Sequence, residues 1–453
     1  MPDLAVATVR GQRTRPRSSL IHIFGAAERR FALDVQNGRI HRLPAAHADL
    51  LDELLLLGDN NRAEMTAVAL GVASPRAGKQ EVPKAAPVKA MSLSVAQTCN
   101  LACTYCYAQH GSFGEASANM PTDVAMAAID RLVNAAEPGE RVTLAFMGGE
   151  PLASRKAVHA AARYAAEKAA LRGIGVAFAI TTNATLLRDE DIALFQKFRF
   201  TVTVSIDDVG EGHDRTRPHR SGKGTFDLVA KNVRALVAAD CRAFRVLARV
   251  TVTPGNIDLP RIMSGLVEMG FDSLTFSPML NSPSGQDEMA AGELEQMLEQ
   301  LIRCGGLFRD RARKGHVLPL ANVITTLRRI HFYVQEQYPC GAGGGYMSVA
   351  ADGDLYACHR FVNDDDGLMG NVVNGVDPDR QAEWLASRRL DEQSPCGECW
   401  ARHLCSGGCH YEAIKRGRPA CDYIRGWLDY CLCLYAELAE EHPATMQTIL
   451  ASN

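Results

Sequence analysis

Between about residues 91 and 320 the chain alternates short apolar runs with longer stretches whose apolar positions recur every three or four residues. The runs are MSLSVAQT (91–98), RVTLAFM (141–147), GVAFAITTN (175–183), FTVTVSID (200–207), FRVLARVTVT (244–253) and DSLTFSPM (272–279). Helical stretches separate them at 122–136, 154–172, 188–198, 225–240 and 257–270. Such alternation predicts an α/β fold of parallel strands joined by crossover helices. Six units fit a partial (β/α)6 TIM-type barrel better than the complete eightfold one.

The flanks read differently. Residues 18–75 form a small unit with strand-like runs SLIHIF, RRFALDV and RIHRLP, a turn at Gln36-Asn37-Gly38, and two helical patterns. Residues 76–90, rich in Pro, Lys and Ala, read as a linker to the barrel at 91–320. From 330 to 440 Gly- and Cys-rich stretches show little periodicity, as expected where metal rather than a core orders the chain.

Composition narrows the class. The 453 residues are 47% hydrophobic and 22% charged, ordinary values for a globular protein. A net charge of −3 gives no electrostatic reason to expect nucleic acid or an anionic membrane as partner. No apolar run reaches membrane-spanning length, and the basic start lacks the apolar core of a secretory signal, so the expected location is the cytoplasm. Fourteen cysteines are many for that compartment, where thiols stay reduced. Three lie at Cys99, Cys103 and Cys106, and nine lie between Cys340 and Cys433. Cys241 and Cys304 stand apart and read as ordinary buried or half-buried thiols. Two clusters in a reducing compartment argue for metal.

The first cluster, CNLACTYCYAQ (99–109), directly follows the first barrel strand, at the end where such folds place chemistry. Three thiolates are too few for a closed structural zinc site, but they suit a cubane iron–sulfur cluster with one iron left open. The Cys-x3-Cys-x2-Cys spacing, with Tyr105 before the last cysteine, resembles the signature of radical S-adenosylmethionine (SAM) enzymes. The resemblance implies a [4Fe-4S] cluster whose open iron chelates the methionine moiety, and an electron that cleaves the sulfonium to a 5′-deoxyadenosyl radical. Further segments match the family in order. GGEP supplies Gly148, Gly149, Glu150 and Pro151, which the family uses to hold the methionine ammonium, with glycines that let backbone approach a ligand. TTN contributes Asn183, SID contributes Ser205, and Arg217 in HDRTRP is the expected partner of the methionine carboxylate. Asp207 or Asp208 is a candidate proton acceptor.

The C-terminal cysteines resemble the SPASM domain of radical enzymes that modify peptides, which implies two auxiliary clusters, expected as [4Fe-4S]. By that resemblance Cys340, Cys358 and Cys409 hold the first, closed by Cys431 or left with an open iron. Cys396, Cys399 and Cys405 hold the second, with Cys421 or Cys431 as the last ligand and Cys421 preferred. Cys433 reads as core. The alternative for residues 396–409 is a zinc ribbon.

The N-terminal unit resembles the small winged-helix element with which peptide-maturing enzymes capture a leader segment by strand addition. Together these parts suggest a thioether-forming maturase acting on a ribosomally made peptide or small Cys-containing protein. Similar enzymes act on six-cysteine peptides and on the small subunit of quinohemoprotein amine dehydrogenase. A flavodoxin- or ferredoxin-type reductant is implied. The alternatives are carbon–carbon crosslinking or epimerisation, sulfatase-type formylglycine formation and, in another class, an electron-transfer protein.

Overall fold

The computed structural model of the chain describes residues 18–26, 29–76, 78 and 85–451. The basic start (1–17) and part of the expected linker (77 and 79–84) lie outside the described residues. Two sheets organise the rest. The smaller is antiparallel, in the order β1 (Ile21–Ala26), β2 (Arg29–Asp34), β3 (Ile40–Leu43). Its alternation splits the apolar residues between two faces. Ile21, Ile23, Ala32 and Leu43 pack on the helices Ala45–Leu56 and Asn60–Ala69, whereas Phe24, Phe31 and Leu33 join the main core. His22 points the same way as Phe24. It stacks on Trp400 at 3.6 Å between ring centres and contacts Asp429 at 2.7 Å, tying β1 to the cysteine-rich region.

The larger sheet begins with the six predicted strands: β4 (Ala90–Ala96), β5 (Arg141–Gly148), β6 (Gly175–Thr182), β7 (Thr201–Ser205), β8 (Arg245–Val252) and β9 (Ser273–Pro278). All are parallel and paired in sequence order. Their outward positions, such as Val142, Leu144 and Phe146 on β5 or Val246, Ala248 and Val250 on β8, are buried beneath the crossover helices. The helix Thr122–Asn134 answers with Ala125, Ala128, Ile129, Leu132 and Val133, one stripe at helical spacing. Inward positions are small or polar: Thr203 and Ser205 on β7, Arg249 and Thr251 on β8, Ser277 on β9. A hollow interior therefore follows from strand alternation.

The sheet does not stop there. Past residue 330, where no regular structure is expected from periodicity, β10 (Tyr346–Val349) pairs parallel with β4, and β11 (Asp354–Tyr356), β12 (Leu368–Asn371) and β13 (Gly375–Val376) continue antiparallel. The result is one mixed sheet of ten strands, unclosed among the described residues. A 21-residue helix, Cys421–Glu441, then packs back on the body of the fold and carries Trp427, Leu428 and Leu432 into the core. At two to four residues the strands are too short for periodicity to reveal them; β10 is held by β4, and each later strand by the one before it.

Candidate active site

The loop after β4 is zipped to residues 216–220 by backbone hydrogen bonds. Ala102 N–H donates to Pro218, Thr104 N–H to Thr216, and Arg220 N–H to Asn100, at 2.9, 3.1 and 3.0 Å. This pairing sets Arg217 beside the three cysteines. Tyr105 locks the arrangement: its hydroxyl donates to Asp207 Oδ2 at 2.5 Å and accepts from Arg217 Nη1 at 2.6 Å. Arg217 is buried, and its Nε has no partner among the described residues.

Cys99, Cys103 and Cys106 line a cavity of about 520 Å³ enclosed by the barrel strands and capped by the C-terminal region. Tyr105, Gly148, Gly149, Asn183, Ser205 and Arg217 line it as well. Asn183 Nδ2 sits 3.7 Å from the Cys99 sulfur, within reach of a hydrogen bond to a thiolate. Burial pushes the Cys103 thiol up to about 12 and raises Cys99 too, with Arg217 pulling both the other way. A thiolate here needs a positive partner, which a cationic iron core provides. The donor set thus fits the implied cluster.

Several expectations change in detail. The glycines of GGEP approach backbone rather than only a ligand. A Cβ on Gly148 would stand 2.3 Å from Ala96 O, and one on Gly149 would stand 2.3 Å from Thr98 O and 2.7 Å from Gly111 Cα. These residues let the end of β5 press against the cysteine loop, secured by Gly149 N–H and Glu150 N–H bonding to Ala96 and Thr98. Glu150 and Pro151 do not line the cavity. The Glu150 carboxylate is fully buried and accepts from Leu152 N–H, Thr182 Oγ1 and Asn183 N–H at 3.0, 2.7 and 2.7 Å. It stitches the ends of β5 and β6 and so positions Asn183. Burial raises its pKa, and those three donors oppose the rise.

Neither Asp207 nor Asp208 faces the cavity. Asp207 is fully buried and engaged by Tyr105, Thr216 and Thr251 N–H, with Arg217 3.9 Å away. Asp208 caps Val209 N–H and pairs with Arg261 at 2.6 Å. Both carboxylates hold the loop after β7 through these partners. The acid in the cavity wall is Glu412, paired through Oε1 with Arg360, while its Oε2 has no partner among the described residues. Arg360 lies 5.5 Å from the Tyr107 ring centre and 4.4 Å from that of Tyr411. Arg249, Arg360, Glu412, Tyr107 and His359 are cavity residues that sequence reasoning passed over. For Arg249 the signal was present: an arginine inside the apolar run FRVLARVTVT.

All fourteen cysteines are free thiols. The C-terminal ones divide into two electrostatic groups. Burial pushes Cys358 up to about 12, and the neighbouring thiols Cys409 and Cys340 add to the rise. Burial likewise carries Cys405 to about 11, with Cys399, Cys396 and Cys421 contributing. Cys396, Cys399, Cys405 and Cys421 surround a void of about 80 Å³ together with Arg418 and Arg425, and Cys409 reaches the same rim. Ser406, Gly407 and Gly408 have φ of 54°, 87° and 72°, a left-handed run that bends the chain sharply between Cys405 and Cys409. Cys431 belongs to neither group: it is wholly buried in the core and hydrogen-bonded with Thr326. Cys421 opens the helix whose next three turns carry Cys431 inward. Cys304 is buried, whereas Cys241 is exposed rather than the half-buried thiol expected. Among the described residues, no three His, Cys, Asp or Glu side chains converge as ligands of a single metal ion.

Residues 93–262 match the family model of the Radical SAM superfamily, and this stretch is a radical SAM domain, which implies an iron–sulfur cluster and SAM. The chain is similar to the serine-type anaerobic sulfatase-maturating enzyme of Klebsiella aerogenes, 24% identical over 374 residues that cover 78% of this chain and 88% of that one. The enzyme of the same description from Bacteroides thetaiotaomicron is 26% identical over 381 residues, covering 77% and 89%. Among solved structures, native anSMEcpe with bound AdoMet and Cp18Cys peptide superposes with a TM-score of 0.64 at 19% identity, covering 78% of this chain and 99% of that one. Streptococcus suis SuiB bound to S-adenosylmethionine gives a TM-score of 0.51 at 13% identity, covering 89% and 97%. At these identities the structural likeness establishes the fold. Among the described residues, no helix is long and apolar enough to cross a membrane.

Proposed function

We propose that this protein is a radical SAM maturase that forms thioether crosslinks between cysteine sulfur and carbon in a ribosomally made peptide or small protein. The observation that carries the reading is a single chamber with the Cys99 loop on one side and Arg360 and Glu412, which flank Cys358 and Cys409 in sequence, on the other. Cys99, Cys103 and Cys106 would hold the SAM-binding cluster, and Tyr105, Gly148, Gly149, Asn183, Ser205 and Arg217 would surround the cosubstrate. When bound, that group supplies the 5′-deoxyadenosyl radical that takes a hydrogen atom from a substrate carbon. Cys340, Cys358 and Cys409 would hold one auxiliary cluster, and Cys396, Cys399, Cys405 and Cys421 the other.

The chain's own residues have distinct tasks. Arg217, oriented by Tyr105 and Asp207, presents its free Nε to an anion. Asn183 steadies the Cys99 thiolate. As sulfur bonds to the substrate carbon radical, the thiol proton would pass to Glu412 in the cavity wall, and the one surplus electron would need the auxiliary cluster held by Cys340, Cys358 and Cys409 as its acceptor. The apolar outer strands and covering helices exclude water from a radical formed inside. Residues 18–75 would capture a leader segment along β3, an edge strand of the small sheet.

The test is the intact mass of a short cysteine-containing peptide encoded beside the gene, coexpressed anaerobically and alkylated before measurement. Each thioether removes two hydrogens and one alkylatable thiol. Loss of two hydrogens with every thiol free indicates carbon–carbon crosslinking and sinks the thioether reading. The similarity to sulfatase-maturating enzymes favours one second reading, oxidation of a single Cys or Ser to an aldehyde. That product reacts with a hydrazine probe, whereas a thioether does not.

A further inference from the structure

Three arginines line the reaction cavity, and their charges are compensated unequally. Arg217 has Asp207 at 3.9 Å, and Arg360 is paired with Glu412. Arg249 has neither: among the described residues no ion pair or hydrogen bond reaches its guanidinium. Its side chain is exposed and lines the cavity, so it is accessible to a ligand there. Burial pulls its pKa below the ordinary arginine value, and the Arg360 charge acts in the same direction.

The position is set by the sheet. Arg249 is the register partner of Ser205 on β7 and of Thr275 on β9, on the inward face of the strand next to the β9 edge. The groups that act on it electrostatically are Tyr107, Arg360, Cys409 and Tyr105, so it stands between the Cys99 loop and the C-terminal cysteines. A guanidinium that faces a cavity with no protein anion beside it keeps its donors free for an anionic ligand. With Arg217 and Arg360 each beside a carboxylate, the uncompensated charge on this wall points to a ligand.

We infer that Arg249 is the anchor for a carboxylate of the peptide substrate, an acidic side chain near the reacting cysteine or a chain terminus. The inference rests on the peptide-substrate reading and deepens it. A guanidinium binds a carboxylate through two parallel hydrogen bonds, which fixes both the position and the direction of the bound segment. Arg249 would therefore decide which carbon of the substrate faces the radical.

Two pentapeptides probe the site: N-acetyl-Gly-Cys-Gly-Glu-Gly-amide and its Gln counterpart. Their dissociation constants are measured by equilibrium dialysis against the iron-loaded enzyme with SAM and no reductant, so that no turnover occurs. The wild type should bind the Glu peptide about tenfold more tightly than the Gln peptide. Arg249→Met should remove that preference while leaving the Gln peptide's affinity and the iron content unchanged, and Arg249→Lys should retain part of it. Equal affinities in the wild type overturn the assignment, and that comparison stands even where the variant fails to fold. Preference that survives Arg249→Met overturns it too. A fall in SAM affinity with the peptide preference intact assigns the anion to the methionine carboxylate and likewise removes the substrate anchor. A Glu preference that holds while turnover leaves every thiol alkylatable keeps the anchor and removes the thioether.

Discussion

Tyr105 and Asp207, 102 positions apart, share a buried hydrogen bond of 2.5 Å, and Arg217 completes the chain from the other side of the phenol. The aromatic residue of the cysteine motif thus acts as a bolt between the cluster loop and the end of β7. Tyr105→Phe keeps the ring and deletes the bolt. The variant should fold with a loss of about 1–3 kcal/mol and bind SAM several-fold more weakly, as read by denaturant titration and equilibrium dialysis. Asp207→Ala should cost about 3–5 kcal/mol, because it strips Arg217 of its buried counter-charge. Were Asp207 a proton acceptor instead, Asp207→Asn would abolish turnover and leave both stability and SAM affinity untouched.

The two cysteines at the start and middle of the last long helix should behave differently. Cys421→Ala should lower iron content and visible absorbance by one cluster's share, since Cys421 meets Cys396, Cys399 and Cys405 at a common void. Cys431→Ala should keep all its iron and lose about 1–3 kcal/mol of stability, because it only opens a gap in the core. Equal iron loss in both variants would contradict the separation of Cys431 from the cluster groups.

Gly149→Ala tests the close approach of β5 to the cysteine loop. The added methyl would meet backbone on two sides, at Thr98 and Gly111, where no side chain can give way. The expected outcome is a displaced Cys99 loop with impaired iron loading at that site alone. Electron paramagnetic resonance of the reduced protein should lose the signal that SAM perturbs and keep the others.

His213 is fully buried, and its pKa is lowered to about 3, first by burial and then by the Arg217 charge. The unfolded chain takes up this proton near pH 6.5, whereas the native chain resists it until about 3. The stabilising contribution is therefore complete above pH 6.5 and is lost as pH falls toward 3. Glu150 and Asp207, whose pKa values burial raises, act with the opposite sign. They cancel in the difference between wild type and His213→Gln. That difference in unfolding free energy should shrink steadily across the window, and a flat difference would refute the assignment.

What could be read from the sequence followed from local physics. The period-two strands β4 to β9 and the amphipathic helices between them were legible because each buries a face under its own neighbour. The cysteine loop was legible because thiolate spacing is itself the chemistry. By contrast, β10 is a four-residue segment ordered by pairing with β4 some 250 positions away, and β11 to β13 are two- to four-residue strands that extend the sheet from it, too short for a local pattern to record. The carboxylates Asp207 and Asp208 were recognisable as loop acids, but their inward or outward aim depends on Tyr105 and Arg261, both distant in sequence. Arg249 was hidden for a related reason: a charge within a strand gains meaning only once the strand's inner face is known to border a cavity.

The pairing of β10 with β4 also bears on how the molecule comes into being. Residues Ala90 and Tyr346 are register partners, so the strand that seals this side of the sheet emerges only after three quarters of the chain has been synthesised. Until then β4, which leads into Cys99, is an open parallel edge, able to recruit a foreign strand. Closure over so large a loop is slow. Nascent chains should consequently spend a long interval with the cysteine loop exposed. During that interval the thiols of the loop are open to solvent, and only the arrival of β10 completes the wall beside them.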